Sequence, residues 1–240
     1  GRTIALAIDG PVLADLQPTE EVLTRERQQA ISAHRRDWVG AMRGTLDHWV
    51  SAERAEGHTA RWIEVRGDGA LAVAEHGRGA HLLLLEQLPN DKTARARIHA
   101  ALVRSKRPVL LVPTGTDALL GRIVAVAWQN GAQARSAIRT ARPLLLKAER
   151  VVVLRVGDTA DDAGLADAFD GQPFEVATAP AAPNDDVGAQ LVAMAHEAGA
   201  DLLVMGSSSH GRLHEMLFDD ATEGVLRTAD LPVLMQHQDA

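Results

Sequence analysis

The sequence contains no cysteine. Disulfides, thiolate chemistry and cysteine-based zinc sites are therefore excluded. No apolar run is longer than a strand, so no segment reads as a membrane-spanning helix. A basic leader followed by a long apolar core is not visible either, and the cytoplasm is the expected compartment. Positive charge is in deficit: 25 Lys and Arg stand against 32 Asp and Glu, a formal net charge of −7. Nothing in that balance favours DNA or an anionic membrane surface as a partner. What is present is ample apolar material, 46% of 240 residues, enough for one large or two small globular cores.

An internal repeat organises the chain. Gly79-Ala80-His81-Leu82-Leu83-Leu84-Leu85 matches Gly199-Ala200-Asp201-Leu202-Leu203-Val204-Met205, 120 residues on, and Arg107–Val112 matches Leu231–Gln236, 124 residues on. Two landmarks in one order mean a duplicated unit, because solenoid repeats have much shorter periods. The halves are expected at 1–116 and 119–240, joined near Thr114–Gly121.

The second half reads as five strands alternating with helices. The strands are expected at Ile123–Trp128, Val151–Val156, Phe174–Thr178, Leu202–Met205 and Pro232–Met235. The helices are expected at Ala132–Ala148, Asp161–Ala168, a segment begun by Asn184-Asp185-Asp186, and Phe218–Ala229. Asn184 is a suitable cap, and acids in the first turn suit the helix dipole. Pro143 is expected to kink its helix or mark a new first turn. Alternating elements of this kind predict a doubly wound parallel sheet. The first half has strands at Thr3–Ile8, Arg61–Arg66, Leu82–Leu85 and Pro108–Pro113. It also has a long helix within Thr19–Glu56, a short one at Gly69–His76 and a third at Lys92–Ser105. Val22, Ile31, Trp38, Met42 and Trp49 are expected to turn the long helix toward a core, and Leu82–Leu85 reads as a buried strand. All four tryptophans, at 38, 49, 62 and 128, are assigned to packing.

The stretch Gly199–His237 carries the most specific signal: a strand, a small-residue turn at Gly206–Ser209, a helix and a strand. GADLLVMG, GRLHE, TEGVLR and LPVLM resemble the end of a universal stress protein domain, the bacterial tandem type above all. The resemblance implies two Rossmann-like sheets in tandem with strand order 3-2-1-4-5, and a ligand cleft over the C-terminal edge where the order switches. It also implies that the first half lacks one βα unit. Thr3–Ile8 is then its second strand, or its first if GRTIALAI is aligned with GRIVAVAW.

In the family, a glycine-rich loop wraps ATP phosphates. Its Gly, Gly, Gly and Ser/Thr positions fall here on Gly206, Ser209, Asp219 and Asp220, so only the first is kept. The resemblance further places Gln129, Val156, Met205 and Gly211 around an adenine nucleotide. Asp219 and Asp220 stand where phosphate would meet a helix N-terminus, and a carboxylate cap satisfies the same free N–H groups. Each like-charged contact at about 4 Å costs about 1 to 4 kcal/mol, against roughly 8 kcal/mol for a micromolar ligand. Ser209 adds a smaller obstacle if its position needs φ > 0. ATP or a related adenine nucleotide is thus expected to bind weakly. In the first half, Leu85-Glu86-Gln87 replaces Met205-Gly206-Ser207, which makes that half a structural partner.

These residues support a non-catalytic stress-response module for interaction or small-ligand sensing. Its halves would pack as an intramolecular pseudo-dimer, with a homodimer as a further arrangement and the protein partner unidentified. The alternative is a metal-dependent nucleotide hydrolase using Asp219, Asp220 and His210 around magnesium. His210 and His214, four apart and followed by Glu215, form an incomplete metal pair and read as surface histidines beside the cleft, with Arg212 a candidate anion contact.

Overall fold

The computed structural model describes residues 1–9, 25–52, 57–89, 91–116, 120–157, 164–181, 186–207 and 219–237. Its contacts divide the chain into two compact units, Gly1–Ala72 and Val73–Ala240.

In the first unit, β1 (Arg2–Asp9) pairs in parallel with β2 (Thr59–Arg66), Ile4 opposite Arg61 and Leu6 opposite Ile63. The helix between them, α1 (Arg25–Ala52), packs on β2. Of the expected apolar stripe, Ile31 is half-buried but the larger residues do not face a core. Trp38, Met42 and Trp49 are 51%, 44% and 39% exposed, whereas Val39, Leu46 and Val50 are half-buried. The last three are spaced seven and four apart and form one face, rotated away from the tryptophans. Trp62 is half-buried and donates through Nε1 to Glu64 Oε1 at 2.9 Å. Val22 lies outside the described residues.

The helix α2 (Gly69–Gly77) crosses the division between the units, and Asp68 Oδ1 accepts from Ala70 N at 2.8 Å to cap it. The second unit is built on one seven-stranded sheet. Its members are β3 (Leu83–Gln87), β4 (Val109–Pro113), β5 (Ile123–Ala127), β6 (Arg150–Val156), β7 (Glu175–Ala179), β8 (Leu202–Ser207) and β9 (Val233–His237). They lie in the order β3-β4-β9-β8-β5-β6-β7. The five strands of the second repeat therefore run 3-2-1-4-5, all parallel, as expected. Inner strands of such a sheet are covered on both faces and favour unbroken apolar runs. Val124, Val126, Val153, Leu202, Leu203 and Val204 have essentially no exposure. Asp201 sets the start of this arrangement by accepting from Gly121 N at 2.8 Å and Arg122 N at 3.0 Å.

Helices fill the crossovers. In α4 (Ala132–Leu145), Ala134, Ala137, Ile138, Ala141 and Leu145 join the core, and the helix runs through Pro143 to end two residues later. The short α5 (Leu165–Phe169) sets Phe169 against Phe174 at 4.5 Å between ring centroids. Helix α6 (Val187–Glu197) is capped by Asp186, which accepts from Ala189 N at 3.1 Å; Asn184 and Asp185 lie outside the described residues. Helix α7 (Asp220–Thr228) packs on α6 where two glycines meet, Gly188 and Gly224, and Arg227 forms an ion pair with Asp186.

The halves of the repeat meet inside this sheet. Strand β4 runs antiparallel to β9, its counterpart in the repeat, with Val109 opposite Met235 and Leu111 opposite Val233. Gln87 Nε2 donates to Ala229 O at 2.9 Å, and Arg95, on α3 (Lys92–His99), forms an ion pair with Glu223. A π-helical turn, Ala100–Arg104, follows α3 and buries Ala100, Ala101 and Leu102. This pairing explains why the compact units are cut at Ala72 and not near residue 117, where the sequence repeat leads one to expect the boundary: β3 and β4, from the first copy of the repeat, fall in the second unit. Strand β3 is the end strand of the sheet, and Leu84 and Leu82 are 66% and 41% exposed. It is therefore an edge, not the buried strand its leucines suggest. Its equivalent, β8, is paired on both sides.

At the same joint, His99 is half-buried and faces His237, whose Nδ1 lies 3.1 Å from Ser207 O. Burial first, then the charge of His237 and that of Arg104, lower the His99 pKa below its ordinary 6.5. A base with a depressed folded pKa binds fewer protons folded than unfolded, so its contribution is complete above 6.5 and is lost as pH falls through the folded value. Urea melts from pH 7.5 to 5 should show a loss of stability that His99→Gln makes shallower. An unchanged slope in the variant would remove His99 from the account.

Candidate functional site

The C-terminal ends of β5, β6 and β8 open onto a cleft of about 650 Å³ within the second unit. It lies at the switch in strand order, where β5 connects outward to β6 and its other neighbour is β8. The turn Trp128–Gly131 forms one wall, continued by Gln133 and Ala134 in the first turn of α4. Val156 closes it at the end of β6, and Met205 and Gly206 floor it from β8. Val187 and Leu191 enter from α6, and Asp219, Asp220 and Ala221 from the start of α7.

Of the residues assigned from the sequence, the structure brings six to this cleft: Gln129, Val156, Met205, Gly206, Asp219 and Asp220. Ser209 and Gly211 lie outside the described residues, as do His210, Arg212, His214 and Glu215. Gln133, Ala134, Val187 and Leu191 were not assigned. The last two carry a readable signal, since they are apolar and four apart and so share one face of α6.

Gly206 has a structural reason to be glycine. A Cβ there would stand 2.6 Å from the Gln133 carbonyl carbon and 2.8 Å from its oxygen. The strand thus approaches the first turn of α4 too closely for any side chain. The one loop glycine kept from the nucleotide pattern is therefore required by packing, whatever the cleft holds.

Asp219 is the N-cap of α7, with φ −65° and ψ 162°, and its Oδ1 accepts from Thr222 N at 2.7 Å. One of the free N–H groups that would meet an anion is thereby taken, and the dipole of the helix start is matched by a carboxylate. Asp220 occupies the first helical position and is exposed. On the opposite wall, Trp128 is 4% exposed and belongs to the core, with the Arg135 guanidinium 5.7 Å from its ring centroid. Arg135 is itself held by Asn130 Oδ1 at 2.7 Å. In the first repeat, the equivalent strand end is used for structure: Gln87 bonds Ala229, and Glu86 accepts from Thr114 Oγ1 at 2.9 Å.

Among the described residues no three His, Cys, Asp or Glu side chains cluster as a metal site, and no helix is long and apolar enough to cross a membrane.

A doubly wound α/β domain with an open cleft over its switch point is the class that the fold defines. Residues 184–237 match the Universal stress protein family. No curated protein sequence matches the chain. Among solved structures, it is similar to a universal stress protein from Archaeoglobus fulgidus at 16% identity and a TM-score of 0.68, covering 99% of this chain and 86% of that one. A putative universal stress protein from Pseudomonas aeruginosa gives 19% identity and a TM-score of 0.60, covering 98% and 93%. A functionally unknown protein from the same species gives 19% identity and a TM-score of 0.55, covering 98% and 92%. At these identities the likeness concerns the fold.

Proposed function

We propose that this chain is a tandem universal stress protein that works in the stress response as a non-catalytic module, sensing a small ligand or docking a partner, with its ATP site degenerate. The observation that carries this reading is the Asp219 carboxylate seated on the α7 N-terminus, where a phosphate would otherwise be held. With Asp220 beside it, the phosphate end of the cleft repels polyanions. The β4–β9 pairing supports an intramolecular pseudo-dimer, because equivalent strands of the two repeats run antiparallel across it. A non-catalytic role is supported by a cleft in which the described residues bring together two carboxylates and no nucleophile–base pair.

Isothermal titration tests the reading. ATP is expected to give no saturable heat at micromolar concentrations, with or without magnesium. Binding that appears only with magnesium and is followed by phosphate release would establish the metal-dependent hydrolase in its place. Tight binding without metal would defeat both.

A further inference from the structure

The end strand β3 is composed like an inner one. Leu82–Leu85 is an unbroken apolar run, without the lysine or proline that commonly guards an open edge. Its counterpart in the repeat, β8, shows the setting such a run suits. It pairs in parallel with β9 on one side and with β5 on the other, Val124 opposite Leu202 and Val126 opposite Val204. Helix α4, which follows β5, covers the same residues: Leu202 and Val204 share a core cluster with Ala137, Ile138 and Ala141. In the first copy β4 stands in the place of β9, but among the described residues no strand stands in the place of β5. Leu82 and Leu84, the equivalents of Leu202 and Val204, are exposed. The backbone is set for a further neighbour. Leu83 N donates to Pro108 O at 2.9 Å, as Leu203 N donates to Pro232 O. Peptide groups alternate in side along a strand, so those of Leu82, Leu84 and Glu86 point to the open edge.

We propose that the open edge of β3 docks a partner protein by strand addition: a parallel apolar strand of the β5 kind, followed by an amphipathic helix that covers Leu82 and Leu84. This rests on the partner-docking side of the proposed role and is independent of the ATP site, because β4 and β9 stand between β3 and β8. The register of the repeat sets two branched residues of the partner opposite Leu82 and Leu84, with a small one between them, as Val124, Ala125 and Val126 do for β8. One substitution shapes the fit. Glu86 stands where Gly206 lets α4 approach within van der Waals contact of the strand, so the partner's helix starts further out than α4 does.

The chain's own strand and helix supply the probe: a fluorescent peptide with the sequence of Gly121–Leu145, titrated into the full chain and followed by anisotropy. In that segment Ile123 O accepts from Asp201 N, and Trp128 N donates to Leu154 O of β6. Ala125 and Ala127 therefore turn their amides to the β8 side, and Val124 and Val126 turn theirs to the β6 side. N-methylation at Ala125 and Ala127 is expected to weaken binding about tenfold or more, while N-methylation at Val124 and Val126 leaves it within about twofold. Leu84→Pro removes one edge donor, leaves the β4 side alone and should abolish binding, since proline is tolerated on an edge strand. The methylated peptides make the same test on the unaltered chain. A peptide that fails to bind, binds wherever its methyl groups lie, or binds Leu84→Pro equally well would overturn the proposal. Sedimentation of the chain alone adds a further check: a dimer that Leu84→Pro dissolves would assign the edge to a second copy and overturn the choice of partner.

Discussion

Gly188→Ala is expected to destabilise the second unit by about 3 kcal/mol or more, the upper range for forcing an extra methyl into a packed contact. The added Cβ would lie 2.4 Å from both Ala221 O and Val225 N, and 2.5 Å from Gly224 Cα. All three are backbone atoms of α7, so no side chain can turn aside and α6 would have to separate from α7. That separation would also disturb the Asp186 cap and its Arg227 ion pair, which sit at the same crossing. For a chain of this size, about 3 kcal/mol lowers the melting temperature by roughly 6–12 °C. Gly79→Ala is the control, because nothing lies within 4 Å of a Cβ there and its φ is ordinary. Thermal melts of the two variants should differ by nearly the full shift. A Gly188→Ala protein that melts with the control would mean that α6 and α7 are not in this contact.

The strands of the second repeat were legible because they are short, apolar and separated by clear turns, while their order came from the family resemblance alone. In a parallel sheet, burial on both faces makes such runs unambiguous. The repeat of Gly79–Leu85 in Gly199–Met205 likewise located β3 and β8, but not their environments. Similar apolar runs became an edge in one and a central strand in the other, since pairing depends on what lies beside a strand and not on its own residues alone. The long helix shows the same limit. Its apolar residues occupy two adjacent arcs, and the sheet took Val39, Leu46 and Val50 over Trp38, Met42 and Trp49. In the site, Asp219 and Asp220 stood out because they break a pattern. Gln133 and Ala134 did not, since they are ordinary first-turn residues brought to the cleft by the approach of α4 to Gly206.

Asp219→Gly with Asp220→Ser is expected to raise ATP affinity about thirtyfold or more. Each carboxylate within about 4 Å of a phosphate costs at least about 1 kcal/mol even when well solvated, and removing two returns at least about 2 kcal/mol. The helix should survive the change, because glycine at an N-cap is worse than aspartate by only a few tenths of a kcal/mol. What the swap frees is the Thr222 N–H, now bonded to Asp219 Oδ1 at 2.7 Å, which would then point toward the cleft with the other free amides of the first turn. Calorimetry with ATP, adenosine and the double variant separates charge from shape. If charge is the barrier, the gain appears for ATP and is small for adenosine. If both gain alike, the carboxylates had narrowed the cleft rather than repelled the phosphates. A double variant that stays silent toward ATP would show that neither explains the proposed loss of binding. The loss would then lie elsewhere in the chain, where Ser209 also stands in place of glycine.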